Sequence, residues 1–500
     1  MLLNSEGSET LGPEPSGRKE PRQINPVVNV LSLLIAGLGA TMIIPLFIEL
    51  ARPDGHAVIF ALPMVATVTL GAILLVATRG SAQLALDHRQ AFLVTASSWV
   101  LMPLITAMPL ALAGLSWTDA VFEAASGLTT TGSTVIHGLE DWPHSVLFWR
   151  SFLQWIGGVG IIVTAVALLP FMRVGGMQLF RAESSDQSEK IEARAHIFVV
   201  RILVIYASLT ALCAILYALL GMSGFDALNH AMTTLSTGGF STHDASFGYF
   251  ESPALHLTAI IFMLAGAIPF VVFMKFLNGN RAIFFEDPQV TAYVVLLLII
   301  TVTLGVWHVI DGGGPLGASL LNAAFSVVSV ATTTGFATVD YTSWGAAAGA
   351  IFFFLTFLGG CAGSTAGGIK IYRVLVLYQI VVRHMRQTIM PSRVVSRNFD
   401  GRHMAEDAWS GVLVMVVVFF ATFGAFAVAL GFAGLDPLTA LSASATAIAN
   451  VGPGLGEIIG PSGNFATLPD SAKWLLSVEM VAGRLEVLSF LVVLLPEFWD

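Results

Sequence analysis

Four short stretches of this chain combine hydroxyl side chains with glycine: Thr130-Thr131-Gly132, Thr237-Gly238-Gly239, Thr333-Thr334-Gly335 and, with the hydroxyls replaced, Asn450-Val451-Gly452. Backbone carbonyls and hydroxyls are the oxygen ligands that can replace the hydration shell of K+ or Na+, and glycine permits the backbone angles that aim successive carbonyls inward. One such stretch is an ordinary surface turn. Recurrence at four equivalent places points instead to a cation site built from four turns. Each turn closes a moderately apolar segment too short to cross a bilayer, at 118–135, 225–242, 318–338 and 435–455. An N-cap type residue, Asp119, Asp226, Ser319 or Asp436, stands about 13 or 16 residues before the glycine. Each segment is therefore expected to be a half-helix that stops at mid-depth with the negative end of its dipole toward a common axis. Irregular backbone at that depth is tolerable only where it lines a water-filled cavity.

A fifth stretch, Gly359-Gly360-Cys361-Ala362-Gly363-Ser364-Thr365-Ala366-Gly367-Gly368-Ile369-Lys370, looks like a phosphate-binding loop. Its spacing is wrong for one: Lys370 follows Gly368 by two, and no Ser or Thr comes after it. It divides the apolar run 347–379, which as continuous helix would be about 50 Å long against a hydrocarbon core of about 30 Å. Residues 361–368 are expected to form an intramembrane loop below the turns that obstructs the pore and retracts, with Lys370 anchoring its inner end. A glycine packing seam between helices is the competing reading. Arg484 lies inside the last apolar run, flanked by Glu479 and Glu486, where an arginine costs at least about 3 kcal/mol. It either pairs with one of these glutamates or faces the pore and opposes cations. Arg150 and Gln154 either brace a turn or pack within the bundle. His230 has no second ligand one helical turn away and reads as a packing residue.

These groups need a membrane scaffold. The chain of 500 residues is 55% hydrophobic and 11% charged, and apolar runs of bilayer-spanning length recur. They lie near 26–50, 57–78, 91–113, 146–172, 199–221, 255–277, 290–310, 347–379, 409–431 and 473–495, about ten crossings. Lys and Arg collect in the N-terminal tail and alternate loops, from Arg18 to Arg22, at Arg79, Arg89, Arg173 to Arg194, Lys275, Arg281 and Arg383 to Arg402. Both termini are thereby expected in the cytoplasm, with residues 1–25 a cytoplasmic tail and not a cleaved leader. The opposite face carries Glu140, Asp141, Asp244, Asp340 and Glu457, an acidic vestibule that would concentrate cations. Cys213 and Cys361 occupy separate apolar segments and read as free thiols. No basic stripe suits a nucleic-acid partner, no dinucleotide fingerprint follows a strand, and no zinc-protease or serine-hydrolase motif marks an intramembrane enzyme. A secondary transporter built on inverted repeats is the other alternative. Here all four half-helices are expected to enter from the same side, which favours a pore.

The expected fold is an all-α polytopic membrane protein with four pseudo-symmetric repeats, each span, half-helix, turn and span. After the tail come two leading spans at 26–90, then repeats at 91–198, 199–289, 290–406 and 407–500. With the four turns, "QWIGGVGIIV" from Gln154, "GGMQLFRAESSDQSEKI" from Gly175, "CAGSTAGGIK" from Cys361 and "GRLEV" from Gly483, nearly the whole chain resembles the Trk/Ktr/HKT superfamily of potassium transporters, most closely the bacterial TrkH/TrkG branch. The resemblance implies K+ uptake across a bacterial inner membrane, through a filter in which Gly132, Gly239, Gly335 and Gly452 are the filter glycines. A serine in the first filter marks sodium transport in the plant relatives, so Gly132 implies K+ preference. The fourth turn departs from the Thr-Gly pattern, which leaves a less selective K+/Na+ transporter, or an H+- or Na+-coupled symporter, as the alternative. The resemblance further implies Arg484 as the pore arginine, a homodimer in membrane lipid, and a cytosolic nucleotide-binding regulatory subunit. K+ is expected as cargo, with no organic cofactor on this chain and no nucleic acid.

Overall fold

The computed structural model describes residues 25–51, 55–79, 86–168, 189–312, 314–391, 398–399, 402–403 and 406–499. Among the described residues the regular structure is helical apart from one two-residue strand pair, Asn398–Phe399 with Arg402–His403. Seven helices among the described residues are long and apolar enough to cross a membrane, and a bent pair makes an eighth. Their outward faces carry Phe47, Val65, Leu298 and Val417, each more than half exposed. Apolar side chains in that number, set on spanning helices, suit hydrocarbon as solvent.

Four short helices, Trp117–Leu128, Gly224–Leu235, Leu316–Ala331 and Pro437–Ala449, lie inside this shell. Each packs on the long helix before it: His88–Leu112, Glu189–Leu219, Pro288–Ile310 and Glu406–Phe432 respectively. Each is followed by a helix that leads away from its turn, beginning at His144, Pro253, Ala346 or Asp470. The short helices bury nearly all of their last two turns, and the aromatic side chains of Phe122, Phe240, Phe247, Phe325 and Phe336 are buried around their ends. This packing holds the helix ends at a common depth.

Three details differ from the sequence-based expectation. The first two short helices are capped not by Asp119 and Asp226 but three residues earlier, by Ser116 and Ser223, whose hydroxyls accept from the backbone N–H of those aspartates. In Ser-x-x-Asp either residue satisfies the N-cap signal, and the helix takes the longer option. Ser319 likewise lies within its helix, which begins after Pro315, whereas Asp436 does cap the fourth. The run 255–277 is two helices, Pro253–Ala267 and Phe270–Leu277, meeting at 97° beside Pro269. The last run is also two helices, Asp470–Arg484 and Leu488–Leu494, separated at Glu486 and Val487, both at positive φ.

Candidate functional site

The four short helices terminate in the same way. A left-handed residue follows each: Thr130 (φ 53), Thr237 (φ 53), Thr333 (φ 57) and Asn450 (φ 55). The next residue's N–H reaches back to a carbonyl five residues earlier: Thr131 to Ser126 at 2.8 Å, Gly238 to Thr233 at 2.9 Å, Thr334 to Ser329 at 2.9 Å and Val451 to Thr446 at 3.0 Å. This is the Schellman termination, which ordinarily uses glycine at the left-handed position. Threonine there costs roughly 1–2 kcal/mol, so the surrounding packing must impose it. Gly132, Gly239, Gly335 and Gly452 come two residues later, again at positive φ. The sequence pattern pointed to these glycines, but not to the left-handed threonines.

The turns meet in a ring. A β-carbon on Gly132 would strike the Gly238 carbonyl, one on Gly239 that of Thr334, and one on Gly335 that of Val451; on Gly452 it would lie 2.9 Å from the Thr131 carbonyl. The order runs first to second to third to fourth and back to first, so the ring closes. Glycine is required here by contact as well as by angle. The residues before the glycines are buried, whereas Gly132, Gly239 and Gly335 keep partial exposure. Two oxygens of the ring, Thr130 Oγ1 and Asn450 Oδ1, are buried without a protein partner. Unpaired buried oxygens are costly unless a cation or water satisfies them.

Residues 358–370 lie between the helices Ala346–Phe357 and Ile371–Ile389 and touch the ring directly. The Gly367 N–H donates to Thr333 Oγ1 at 2.7 Å, and Thr365 Oγ1 lies 3.3 Å from Thr237 Oγ1. Thr365 Oγ1 also donates to the Leu235 and Gly266 carbonyls. Gly363 O accepts from Phe270 N, Cys361 N donates to Ala267 O, and Ser364 Oγ donates to Cys361 O. The base is closed by Gly359 N to Ile369 O at 2.9 Å and Ile371 N to Gly360 O at 3.1 Å. Lys370 donates to the Ala366 carbonyl, Ala362 N donates to Gln289 Oε1, and Gly368 takes a left-handed φ of 63°. Arg484 donates from Nη1 to the Thr365 carbonyl at 2.9 Å, while its Nε and Nη2 have no protein partner. Neither neighbouring glutamate pairs with it: Glu479 accepts from Ser444, and Glu486 pairs with Arg373 at 2.5 Å.

Arg150 and Gln154 both brace turns. Arg150 is buried, pairs with Glu123 at 2.7 Å, donates to Thr134 Oγ1 and the Ser241 carbonyl at 3.1 Å each, and lies over the Phe240 ring. Gln154 Nε2 donates to Gly238 O at 2.6 Å and its Oε1 accepts from Phe240 N at 3.0 Å. Asn450 Nδ2 donates to Thr131 Oγ1 at 3.0 Å and Met480 O at 2.9 Å, tying the fourth turn to the first and to the last span. His230 is satisfied by Asp226 O and Ser241 Oγ, and no cluster of three metal-ligating side chains occurs among the described residues.

A family model described as a cation transport protein, TrkH, matches residues 56–499. The chain is 45% identical to the Trk system potassium uptake protein TrkI of Halomonas elongata, over 96% of this chain and 97% of that one. It is 35% identical to the Trk system potassium uptake protein TrkH of Escherichia coli, over 96% and 99%. The crystal structure of the potassium transporter TrkH from Vibrio parahaemolyticus superposes with a TM-score of 0.88 at 34% identity, covering 96% of this chain and 100% of that one. The chain belongs to the TrkH family.

Outside the ring, this TrkH-family chain gathers charged groups at the loop after the second turn. His243, in the loop after the second turn, stacks on Tyr249 at 3.6 Å and lies 3.4 Å from both Glu140 and Asp226. Burial works against the imidazolium, but the carboxylates of Asp226 and Glu140 beside it outweigh that, and the pKa rises above the ordinary value. For Asp226 burial acts upward, yet the neighbouring His243 and hydrogen bonds from Ser223 and Thr242 prevail and hold the carboxyl below the usual range. Asp244 accepts from Gly138 N at 2.7 Å and Leu139 N at 3.0 Å, so the loops after the first two turns are joined. Sequence reading grouped Glu140 and Asp244 only by sign of charge and took Asp226 for a helix cap.

Proposed function

We propose that the chain is a K+ uptake channel or transporter of the bacterial inner membrane, conducting dehydrated K+ through the ring of four turns. The observation that carries this reading is the closed ring itself. Backbone oxygens from four turns converge where four helix C-termini point, and the negative ends of helix dipoles favour a cation. The ligands proposed are oxygens of Thr130, Thr131, Gly132, Thr237, Gly238, Gly239, Thr333, Thr334, Gly335, Asn450, Val451 and Gly452. The four helix-turn-helix units are read as pore repeats with the boundaries expected above. Residues 359–368 with Lys370 are read as a gate beneath the ring, and Arg484 as a fixed positive charge that opposes cation flux. The relatives' potassium uptake, their Trk system membership and the acidic loop face support cargo, direction and location, with both termini cytoplasmic. A homodimer and a cytosolic nucleotide-binding subunit complete the proposal; the subunit is proposed to dock on the basic segment from Arg383 to Arg402, of which Arg393 and Arg397 lie outside the described residues.

One observation favours a second reading, a less selective K+/Na+ or ion-coupled transporter: Asn450 stands where the other three turns have threonine, and Val451 where two of them do. Uptake of Rb+ and 22Na+ by transport-deficient cells expressing the chain tests both. Strong Rb+ uptake that K+ inhibits and Na+ does not is expected. Uptake at the vector level, with the protein present in the membrane, overturns the proposal; equal Rb+ and Na+ uptake selects the second reading.

A further inference from the structure

Two of the four turns carry an internal fastener. The Thr131 hydroxyl lies 2.7 Å from that of Thr129, and the Thr334 hydroxyl 2.8 Å from that of Thr332. Each bond bridges the left-handed residue between its two threonines. The fourth turn has Ala449 and Val451 at these places and is held instead by the Asn450 amide. The second turn has Ser236 and Gly238, so the residue after Thr237 has no side chain to close the bridge.

The missing volume is occupied from another element. A β-carbon on Gly238 would strike the carboxamide of Gln154, which projects from the helix His144–Leu168 and is wholly buried. The orientation of that carboxamide is set by its partners. The Gly238 carbonyl can only accept and faces Nε2 at 2.6 Å; the Phe240 N–H can only donate and faces Oε1 at 3.0 Å. Gln154 therefore grips the second turn on both sides of Gly239. The Gly238 carbonyl is also the atom against which Gly132 of the first turn rests. Its direction sets the spacing between the first two turns.

We propose that Gln154 is a specificity-determining positioning residue for K+, supplying from a neighbouring helix the fastener that the second turn lacks. The inference rests on the reading of the ring as a filter. Discrimination between K+ and Na+ depends on the aperture or on the number and field of converging oxygens, and either changes when one turn swings freely. Gln154 acts through Gly238 and Phe240 and touches no ion.

The test uses the full chain reconstituted in vesicles, with K+ to Na+ permeability ratios from reversal potentials and thermal stability measured alongside. Gln154→Ala is expected to lower the ratio about tenfold while K+ flux persists, the scale of one buried hydrogen bond lost to a carbonyl. Gly238→Thr alone is expected to abolish flux, because the new side chain collides with Gln154. The double variant Gln154→Ala/Gly238→Thr is expected to regain most of the ratio, since the threonine then has room to bond Ser236 as Thr131 bonds Thr129. Gln154→Met, which fills the volume without hydrogen bonds, guards against a variant that fails to fold and is expected to show the same lowered ratio. Gly132→Ser serves as the control for the filter itself. Wild-type ratios in Gln154→Ala or Gln154→Met, with a lowered ratio in Gly132→Ser, overturn the role of Gln154 alone. A double variant no more selective than Gln154→Ala does so too. Wild-type ratios in all the single variants that conduct overturn the filter reading beneath it.

Discussion

Arg484 and Thr365 are joined by a hydrogen bond of 2.9 Å from the guanidinium Nη1 to the backbone carbonyl. The bond ties the last membrane helix to the loop under the ring, and it leaves two guanidinium nitrogens buried without a protein partner. With its charge uncancelled by Glu479 or Glu486, this arginine is placed as the proposed function requires of a group that opposes cations below the ring.

Arg484→Ala is expected to raise cation flux. A unit positive charge beside an ion path opposes a cation by up to about 4 kcal/mol at an effective dielectric of 20, and the loop loses a tether at the same time. Flux at least several times the wild-type value is expected, with Arg484→Lys closer to wild type. An unaltered flux from a protein of normal yield would show that the charge does not face the ion path.

Gly132→Ser is expected to lower K+ over Na+ selectivity about tenfold, the equivalent of about 1.4 kcal/mol. Gly132 sits at φ 90 with its α-carbon against the Gly238 carbonyl, so a side chain strains the backbone and displaces the second turn together. Reversal potentials in mixed K+ and Na+ solutions are the measurement. Identical potentials in mutant and wild type count against the ring as the selective element.

Glu123→Gln is expected to destabilise the protein by about 3–5 kcal/mol, because it leaves the Arg150 charge buried without its counter-ion. Glu123 also accepts from Val135 N at 2.9 Å and Thr134 Oγ1 at 2.9 Å, so the loss loosens the first turn from behind. Thermal unfolding in detergent should show a large fall in midpoint. A midpoint within a degree or two of wild type would make the buried pair dispensable.

pH should act through His243. Its folded-state pKa is raised by Asp226 and Glu140 against the effect of burial, so the stability it contributes is complete below the unfolded value of about 6.5 and is lost as pH rises through the folded value. The stability difference between wild type and His243→Gln is expected to be greatest near or below about pH 6 and to shrink toward alkaline pH. Asp226 has the opposite sign: its contribution holds above its unfolded pKa and fails only in acid. A difference that stays constant from acid to alkaline pH would remove the ion pairs from the account.

Much of this arrangement is legible in sequence because membranes punish irregular backbone. Thr, Ser and Gly within apolar runs stand out, and a run as long as 347–379 cannot be one helix. The breaks at Pro269 and at Glu486–Val487 are different cases. The first had a signal, a proline inside an apolar run, obscured by the continuous hydropathy around it. The second had none, since neither Glu486 nor Val487 favours a left-handed angle, and the ion pair that accompanies the break comes from Arg373, distant in sequence. The fastening of the second turn by Gln154 was equally hidden: spacing shows that a glutamine is present, not which turn it reaches.

The glycines under the ring divide into two kinds, and the last prediction depends on the difference. Gly363 sits at φ 80, and its carbonyl accepts from Phe270 N. Gly367 instead lies against the Ala449 carbonyl, at the end of the fourth short helix, and a β-carbon there would strike it and come within 3.0 Å of the Asn450 side chain. Gly363→Ala forces an L-residue to a left-handed angle within the loop, at about 1 kcal/mol. It should change how often the pore opens while leaving selectivity intact. Gly367→Ala pushes on Asn450, which is bonded to Thr131 of the first turn, so it should alter opening and selectivity together. Flux recordings in K+ and Na+ separate the two quantities. A selectivity change in Gly363→Ala with normal opening would assign the loop to the filter and end its reading as a gate.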